Sequence, residues 1–139
     1  MKDQLITAVG VAIINQDKKV LIAKRPEDKP MPNKWEFPGG KLEENESLEE
    51  CGIREIKEEL DLDIKVEVYL GYENITYKGQ DFCLHLYTAS LKENEQDFKL
   101  NEHDEARWVG IEDFNKYDFP ASKLSFTKRL KKVLEKGVS

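Results

Sequence analysis

Apolar residues in this chain come in short runs and alternations, which is the pattern of β-strands. The run at residues 4–15 is almost continuously apolar and predicts a strand buried on both faces. The alternation from Ile64 to Leu70 predicts a strand with one face on the core. The proline-rich residues 26–33 predict a loop, and Gly39 and Gly40 predict a turn. The predicted strands are residues 4–15, 19–25, 34–37, 64–70, 82–91 and 107–109.

Two segments have helical periodicity instead. The first begins near Ser47, which with Glu50 forms a capping box. Its predicted apolar side is Leu48, Ile53, Ile56 and Leu60. The second covers residues 122–136, with the apolar side Leu124, Phe126, Leu130, Val133 and Leu134. We therefore predict a single domain, residues 1–139, of the α/β (α+β) class, with a mixed sheet and a helix on each side.

Composition narrows the class of protein. A hydrophobic content of 39% and a charged content of 36% are typical of a globular chain rather than a disordered or membrane protein. No apolar run approaches the about 18 residues that span a bilayer, and the N-terminus lacks signal-peptide character, so we expect a cytoplasmic protein without membrane contact. The net charge of −6 argues against a nucleic-acid polymer as partner. Cys51 and Cys83 are expected to be reduced and buried.

The most informative chemistry is a set of carboxylates on the first helix. Glu55, Glu58 and Glu59 are spaced so that their side chains are neighbours on a helix, pointing the same way. Like charges at this spacing repel, and a divalent cation is the simplest partner that would offset them. The segment therefore predicts a metal site next to the two glycines.

The segment from residue 40 to residue 62 resembles the Nudix box, G-x5-E-x7-R-E-aliphatic-x-E-E-x-G-aliphatic. The matching residues are Gly40, Glu46, Arg54, Glu55, Ile56, Glu58, Glu59 and Leu62. Asp61 stands where the family usually has glycine at the left-handed end of the helix, and Asp tolerates that conformation at a modest cost. No ligand of the family's metal site is missing.

The resemblance extends beyond the box to MutT-type nucleoside triphosphate pyrophosphohydrolases. It is carried by NKWEFPGGK, AKRPED, NEHDEARWV and DFPAS. It implies the Nudix fold, a mixed β-sheet sandwiched between α-helices. It also implies hydrolysis of a nucleoside triphosphate to the monophosphate and pyrophosphate with Mg²⁺, for which Mn²⁺ would substitute, by a monomer or weak dimer.

The resemblance also implies roles for individual residues. The metal ligands would be the carbonyl of Gly40 together with Glu55, Glu58, Glu59 and Glu102. Arg54 would brace Glu55, and the general base is one of Glu55, Glu58 and Glu102. Substrate would be held by Arg25, Lys24, Phe37, Gly39, Lys41 and Ser122. His103 is expected only to line its loop.

The nucleotide stays open at this level. Ser122 stands where relatives acting on oxidised guanine nucleotides have Asn and cytidine-nucleotide relatives have Asp, and its hydroxyl cannot make the two-point contact of an amide. The alternatives are 8-oxo-dGTP, CTP or 5-methyl-dCTP, and another nucleoside diphosphate derivative such as ADP-ribose or a dinucleoside polyphosphate. A catalytically silent nucleotide-binding module is the alternative from a different class.

Overall fold

A mixed sheet forms the centre of the computed structural model, which describes residues 4–29, 32–119 and 124–136. Within these residues the strand order is β3-β2-β1-β6-β5, with β4 paired to β1 and β7 paired to β2. Only the pairing of β1 with β6 is parallel. The elements are β1 (Ile6–Ile14), β2 (Val20–Lys24), β3 (Trp35–Glu36), β4 (Gly39–Lys41), α1 (Leu48–Leu60), β5 (Ile64–Tyr77), β6 (Gln80–Leu91), β7 (Glu105–Val109), a 3-10 helix (Ile111–Lys116) and α2 (Leu124–Glu135).

The sheet has a hydrophobic core on each face, as the sequence predicts. Alternate residues of β1 point to opposite faces, so Val11 packs with Ile56 on the α1 side while Ala12 packs with Phe126 on the α2 side. Residues 9–14 of β1 are all buried, which confirms the strand buried on both faces. The predicted fold class, a mixed sheet between helices, is therefore confirmed.

Three local predictions are wrong. Gly39 and Gly40 form strand β4 against β1 rather than a turn, because a Cβ at Gly39 would lie 1.9 Å from the Val9 carbonyl oxygen and only glycine permits this approach. Ile53 is 41% exposed and does not belong to the buried side of α1, which is Cys51, Gly52, Ile56, Glu59 and Leu60. Cys51 is buried as expected, whereas Cys83 is only partly buried, near the hairpin end of β6.

The hairpin of β5 and β6 is longer than the alternation of apolar residues indicates. Register irregularities between Val66 and Tyr69 and between Tyr69 and Gly71 interrupt the period of two, so the pattern ends before the strand does. The strands are joined at Lys78 and Gly79, whose φ angles of 49° and 80° fit a tight type I′ turn.

In the part of the chain that the structure describes, no helix is long and apolar enough to cross a membrane.

Both ends of α1 are capped by their own sequence. Ser47 accepts a hydrogen bond from the Glu50 amide at 3.0 Å and donates its own amide to the Glu50 carboxylate at 2.8 Å, which confirms the capping box. At the other end Asp61 adopts the left-handed conformation, with φ 57° and ψ 38°. Its carboxylate pairs with Lys57 at 3.2 Å and with Lys99 at 3.4 Å, so charge partners accompany the residue that replaces the usual glycine.

We predict that Asp61→Ala is less stable than Asp61→Gly by about 1 kcal/mol, because alanine has neither the freedom of glycine nor the local hydrogen bonding that lets Asp adopt left-handed φ. Asp61→Asn is the matched control, since it removes only the charge. Urea unfolding measures the free energies. Equal stability of the Ala and Gly variants would show that the conformation of residue 61 carries no cost.

Candidate active site

Arg54 lies at the centre of the carboxylates that the sequence singles out. Its Nε and Nη2 donate to the two oxygens of Glu46 at 2.6 and 3.0 Å, a bidentate contact. Its Nη1 donates to Glu55 at 2.8 Å and to Glu58 at 3.3 Å, and Nη2 also reaches the carbonyl of Lys41 at 3.0 Å. The Arg54 contact lowers the pKa of Glu46 to about 2. One guanidinium therefore joins three acids of the box to strand β4.

Strand β4 brings Gly40 directly against α1. A Cβ at Gly40 would lie 2.3 to 2.6 Å from the carboxyl atoms of Glu55, so any larger residue would displace that side chain. The thiol of Cys51, one turn before Glu55 on α1, points at the carbonyl of Gly40 across 3.7 Å. This contact also holds β4 close to the helix. The backbone of Gly40 and the carboxylate of Glu55 are thus neighbours, as a shared cation would require.

The three helix acids do not occupy one environment, contrary to the expectation that they point the same way. The side chain of Glu58 is 55% exposed, whereas that of Glu55 is 14% and that of Glu59 only 5% exposed. Consecutive residues on a helix are rotated by about 100°, so Glu58 and Glu59 diverge, the former toward solvent and the latter into the protein.

Glu59 is a buried acid with an unsatisfied oxygen. Its Oε1 has no hydrogen-bond partner within the described residues. Burial is the main reason that the pKa of this carboxyl is raised to about 10, and a hydrogen bond with Glu55 and the charges of Glu36, Glu55 and Glu102 add to the effect. Such a group is held neutral until a cation or another positive partner compensates it.

The loop before β7 is docked onto the last turn of α1. The amide of Lys99 donates to the carbonyl of Leu60 at 2.8 Å, and Asn101 donates through its backbone to Glu59 at 3.1 Å and through its side chain to Glu58 at 2.9 Å. These carbonyls have no partner inside the helix, so the loop completes its C-terminus. The docking brings Glu102 and His103 beside Glu59.

His103 is the residue whose position sequence reasoning missed. It is 8% exposed, and its Nε2 lies 2.8 Å from Glu36 Oε2, so the expectation that it only lines its loop is wrong. Glu36 in turn binds Arg25 Nη1 at 2.8 Å. Its adjacency to Glu102 is the signal that the sequence offers, because Glu36 on β3 and Glu59 on α1 are both distant from His103 along the chain.

A cavity of about 90 Å³ gathers several of the predicted residues, enough space for a few water molecules. The lining residues are Arg25, Pro26, Lys29, Glu36, Gly39, Glu59, Glu102 and His103. Cationic and acidic side chains therefore face one small space. Arg54 lies on the neighbouring side of α1, and Glu55 and Glu58 surround its guanidinium.

Three other predicted substrate residues, Phe37, Lys24 and Lys41, do not line this cavity. Phe37 is 2% exposed, with its ring centroid 6.0 Å from that of Phe114 and 5.8 Å from that of Phe119. Lys24 is half-buried at the end of β2, and Lys41 is exposed on β4. Ser122 lies outside the described residues.

The oxygen atoms of these carboxylates and of the Gly40 carbonyl fit a hard divalent cation. In this structure Glu55 and Glu58 are turned toward Arg54. No group of three or more His, Cys, Asp or Glu side chains in the described ranges is placed to hold a metal ion as they stand. Glu59 nevertheless presents an unsatisfied oxygen, and the carboxylates and carbonyl nearby are the ligands that Mg²⁺ prefers. The metal ligands inferred from the sequence therefore stay predictions.

Comparison with known proteins gives consistent matches. A family model described as NUDIX domain matches residues 4–130. The 8-oxo-dGTP diphosphatase of Escherichia coli (strain K12) is 30% identical over 130 residues, which cover 94% of this chain and 98% of that protein. The CTP pyrophosphohydrolase of the same organism is 31% identical over 109 residues, 78% of this chain and 79% of that protein. The crystal structure of the MutT protein from Methanosarcina mazei Go1 superposes with a TM-score of 0.85 at 26% identity, covering 95% of this chain and 96% of that one.

We predict that, without metal, the wild-type protein loses stability relative to Glu59→Gln as the pH rises from 5 to 9. The folded protein keeps the Glu59 proton up to about pH 10, whereas the unfolded chain releases it near pH 4.5. The stabilising contribution of the protonated carboxyl is therefore fully present below pH 4.5 and is lost on the way to pH 10. Urea unfolding in EDTA measures both profiles, with the exposed Glu58→Gln as control. Parallel profiles for wild type and Glu59→Gln would contradict the prediction.

Proposed function

Because this chain belongs to the Nudix family and is a pyrophosphohydrolase of nucleotide substrates, we propose that it cleaves a nucleoside triphosphate to the monophosphate and pyrophosphate in a Mg²⁺-dependent reaction. The observation that carries the proposal is the cavity in which Arg25 faces the acids Glu59 and Glu102. A cation and a cluster of acids side by side suit a phosphate chain that binds together with a metal ion.

We propose separate roles for the metal ligands and the phosphate-binding residues. Mg²⁺ would be held by the Gly40 carbonyl with Glu55, Glu58, Glu59 and Glu102, and Mn²⁺ would substitute. When bound, the metal supplies neutralisation of phosphate charge and lowers the pKa of a coordinated water. Arg25 would hold the phosphates through paired hydrogen bonds, with weaker help from Lys24 and Lys41.

Hydrolysis needs one water and one base. The water oxygen forms a bond to one phosphorus of the α–β anhydride while the bond from that phosphorus to the bridging oxygen breaks, which releases the monophosphate and pyrophosphate, and the water proton passes to a carboxylate. Glu55, Glu58 and Glu102 are the candidates for this base. Arg54 would act on Glu55 by holding its Oε2 at 2.8 Å and so orienting the carboxylate.

For the nucleobase, we propose 8-oxo-dGTP as the first substrate and CTP or 5-methyl-dCTP as the second. Support for the first is the relative named 8-oxo-dGTP diphosphatase, which aligns over almost the whole of both chains. Support for the second is the relative named CTP pyrophosphohydrolase, with a nearly equal identity. Ser122 is the residue that we propose to contact the base, and we propose that Phe37, which is 2% exposed, supports the wall of the base pocket.

We predict release of pyrophosphate from at least one triphosphate in a panel of 8-oxo-dGTP, dGTP, CTP and 5-methyl-dCTP with Mg²⁺. Relative kcat/KM values measure the preference, because specificity is the ratio of these constants. ADP-ribose and a dinucleoside polyphosphate complete the panel. Release of inorganic phosphate alone would overturn the proposal. Tight nucleotide binding without turnover at any metal concentration would also overturn it and would favour the silent binding module.

We predict that Glu58→Gln lowers kcat by about 100-fold or more, since it removes a proposed metal ligand and candidate base. The Glu58 side chain is 55% exposed, so the fold should be unaffected and the melting temperature unchanged. Glu49→Gln removes an equal charge from the exposed first turn of the same helix and serves as control. Full activity of Glu58→Gln would exclude this residue from the site.

A further inference from the structure

Two buried polar atoms face each other without a hydrogen-bond partner. Within the described residues, Glu59 Oε1 and His103 Nδ1 are the buried side-chain nitrogen and oxygen atoms that lack one. They are 3.9 Å apart, and both side chains are 5% exposed. Buried polar atoms are nearly always hydrogen-bonded, so two that face each other form an incomplete pair. A shift of about 1 Å would bring them within hydrogen-bonding distance.

The imidazole ring is held from its other side. Its Nε2 lies 2.8 Å from Glu36 Oε2, while Glu36 Oε1 accepts from Arg25 Nη1 at 2.8 Å. Because a carboxylate engaged by arginine acts as an acceptor, Nε2 carries the proton in this pair. The ring is thereby oriented with Nδ1 toward Glu59.

The backbone around His103 is anchored on both sides. The amide of Asn101 donates to the carbonyl of Glu59 at 3.1 Å, and the amide of Asp104 donates to the carbonyl of Lys24 at 3.2 Å. The segment thus bridges the last turn of α1 and the end of β2. These two hydrogen bonds fix the backbone that carries the imidazole.

We infer that His103 is a positioning residue, which orients the Glu59 carboxylate for cation binding through Nδ1 while Glu36 fixes its ring through Nε2. This inference rests on the proposed function, in which Glu59 is a cation ligand. A hydrogen bond between Nδ1 and Oε1 needs one proton, carried by the ring or by the carboxyl. Partners that orient a metal ligand in this way typically contribute about 10- to 100-fold to metal affinity.

Two variants separate the two nitrogens of the ring. The amide of asparagine reaches the place of Nδ1, whereas that of glutamine reaches the place of Nε2. His103→Asn therefore keeps a polar group toward Glu59, and His103→Gln keeps one toward Glu36. If His103 only filled space or only supported Glu36, His103→Gln would bind the metal at least as tightly as His103→Asn.

The measured quantity is the dissociation constant of Mn²⁺ alone, obtained by electron paramagnetic resonance without nucleotide. We expect His103→Gln to weaken Mn²⁺ binding about 10-fold or more and His103→Asn to stay within about 3-fold of wild type. Wild-type affinity in His103→Gln, or an equal loss in two folded variants, would overturn the inference. Thermal unfolding establishes whether both variants fold.

A second measurement tests the contact between Nδ1 and Glu59 even if both His103 variants fail to fold. Long-range ¹H–¹⁵N correlation spectra report which ring nitrogen is protonated and how each is hydrogen-bonded. We expect Glu59→Gln to shift the Nδ1 resonance of His103 while leaving Nε2 near its wild-type position. An unchanged Nδ1 resonance would overturn the inference.

The two proposals fail in different ways. Absence of both Mn²⁺ binding and nucleotide hydrolysis in the wild type would refute the proposed function, and the coupling of Nδ1 to Glu59 would remain only a structural contact. Normal Mn²⁺ binding and hydrolysis in the wild type, together with unaltered Mn²⁺ affinity in His103→Gln, would refute the role of His103 alone.

Discussion

The guanidinium of Arg54 is the interaction on which the acidic end of this molecule depends. It donates hydrogen bonds to Glu46, Glu55 and Glu58 from one position and also binds the carbonyl of Lys41 on β4. Without a cation at this point, Glu55 and Glu58, three residues apart on the helix, would repel each other and Glu46. Because arginine offers several donors in a rigid plane, it also sets the directions of these carboxylates, which lysine could not do.

Glu59 is the opposite case among these acids. Burial and neighbouring acids raise its pKa, and one of its oxygens has no partner within the described residues. A folded protein tolerates such a group when the surrounding structure holds it in place, and here both the helix and the docked loop do so. The free-energy cost of burying this carboxyl arises at the position where the proposed cation would offset it.

The site is assembled from pieces that lie far apart in the chain. Strand β4 carries Gly40 to the helix. Arg25 directly follows β2, Glu36 lies on β3, and Glu102 and His103 lie in the loop before β7. The pairing of β2 with both β3 and β7 brings these segments together at one edge of the helix. The acids of the helix are thus brought beside Arg25, Glu36 and His103 by the sheet and by the docked loop.

Local signals in the sequence determined the helix with its capping box, most strands, the left-handed Asp61 and the family motif, because each depends on neighbours within a few residues. Tertiary structure decided three other features. The exposure of Ile53 and the pairing of Gly39 and Gly40 with β1 depend on which segments pack against them. The full length of β5 depends on the shifts in its register with β6. The same holds for Glu58 and Glu59, adjacent in sequence but divided between solvent and interior. His103 is the clearest instance, because a ring wedged between Glu36 and Glu59 has no signature in its own neighbourhood; only the packing of strand, helix and loop creates it.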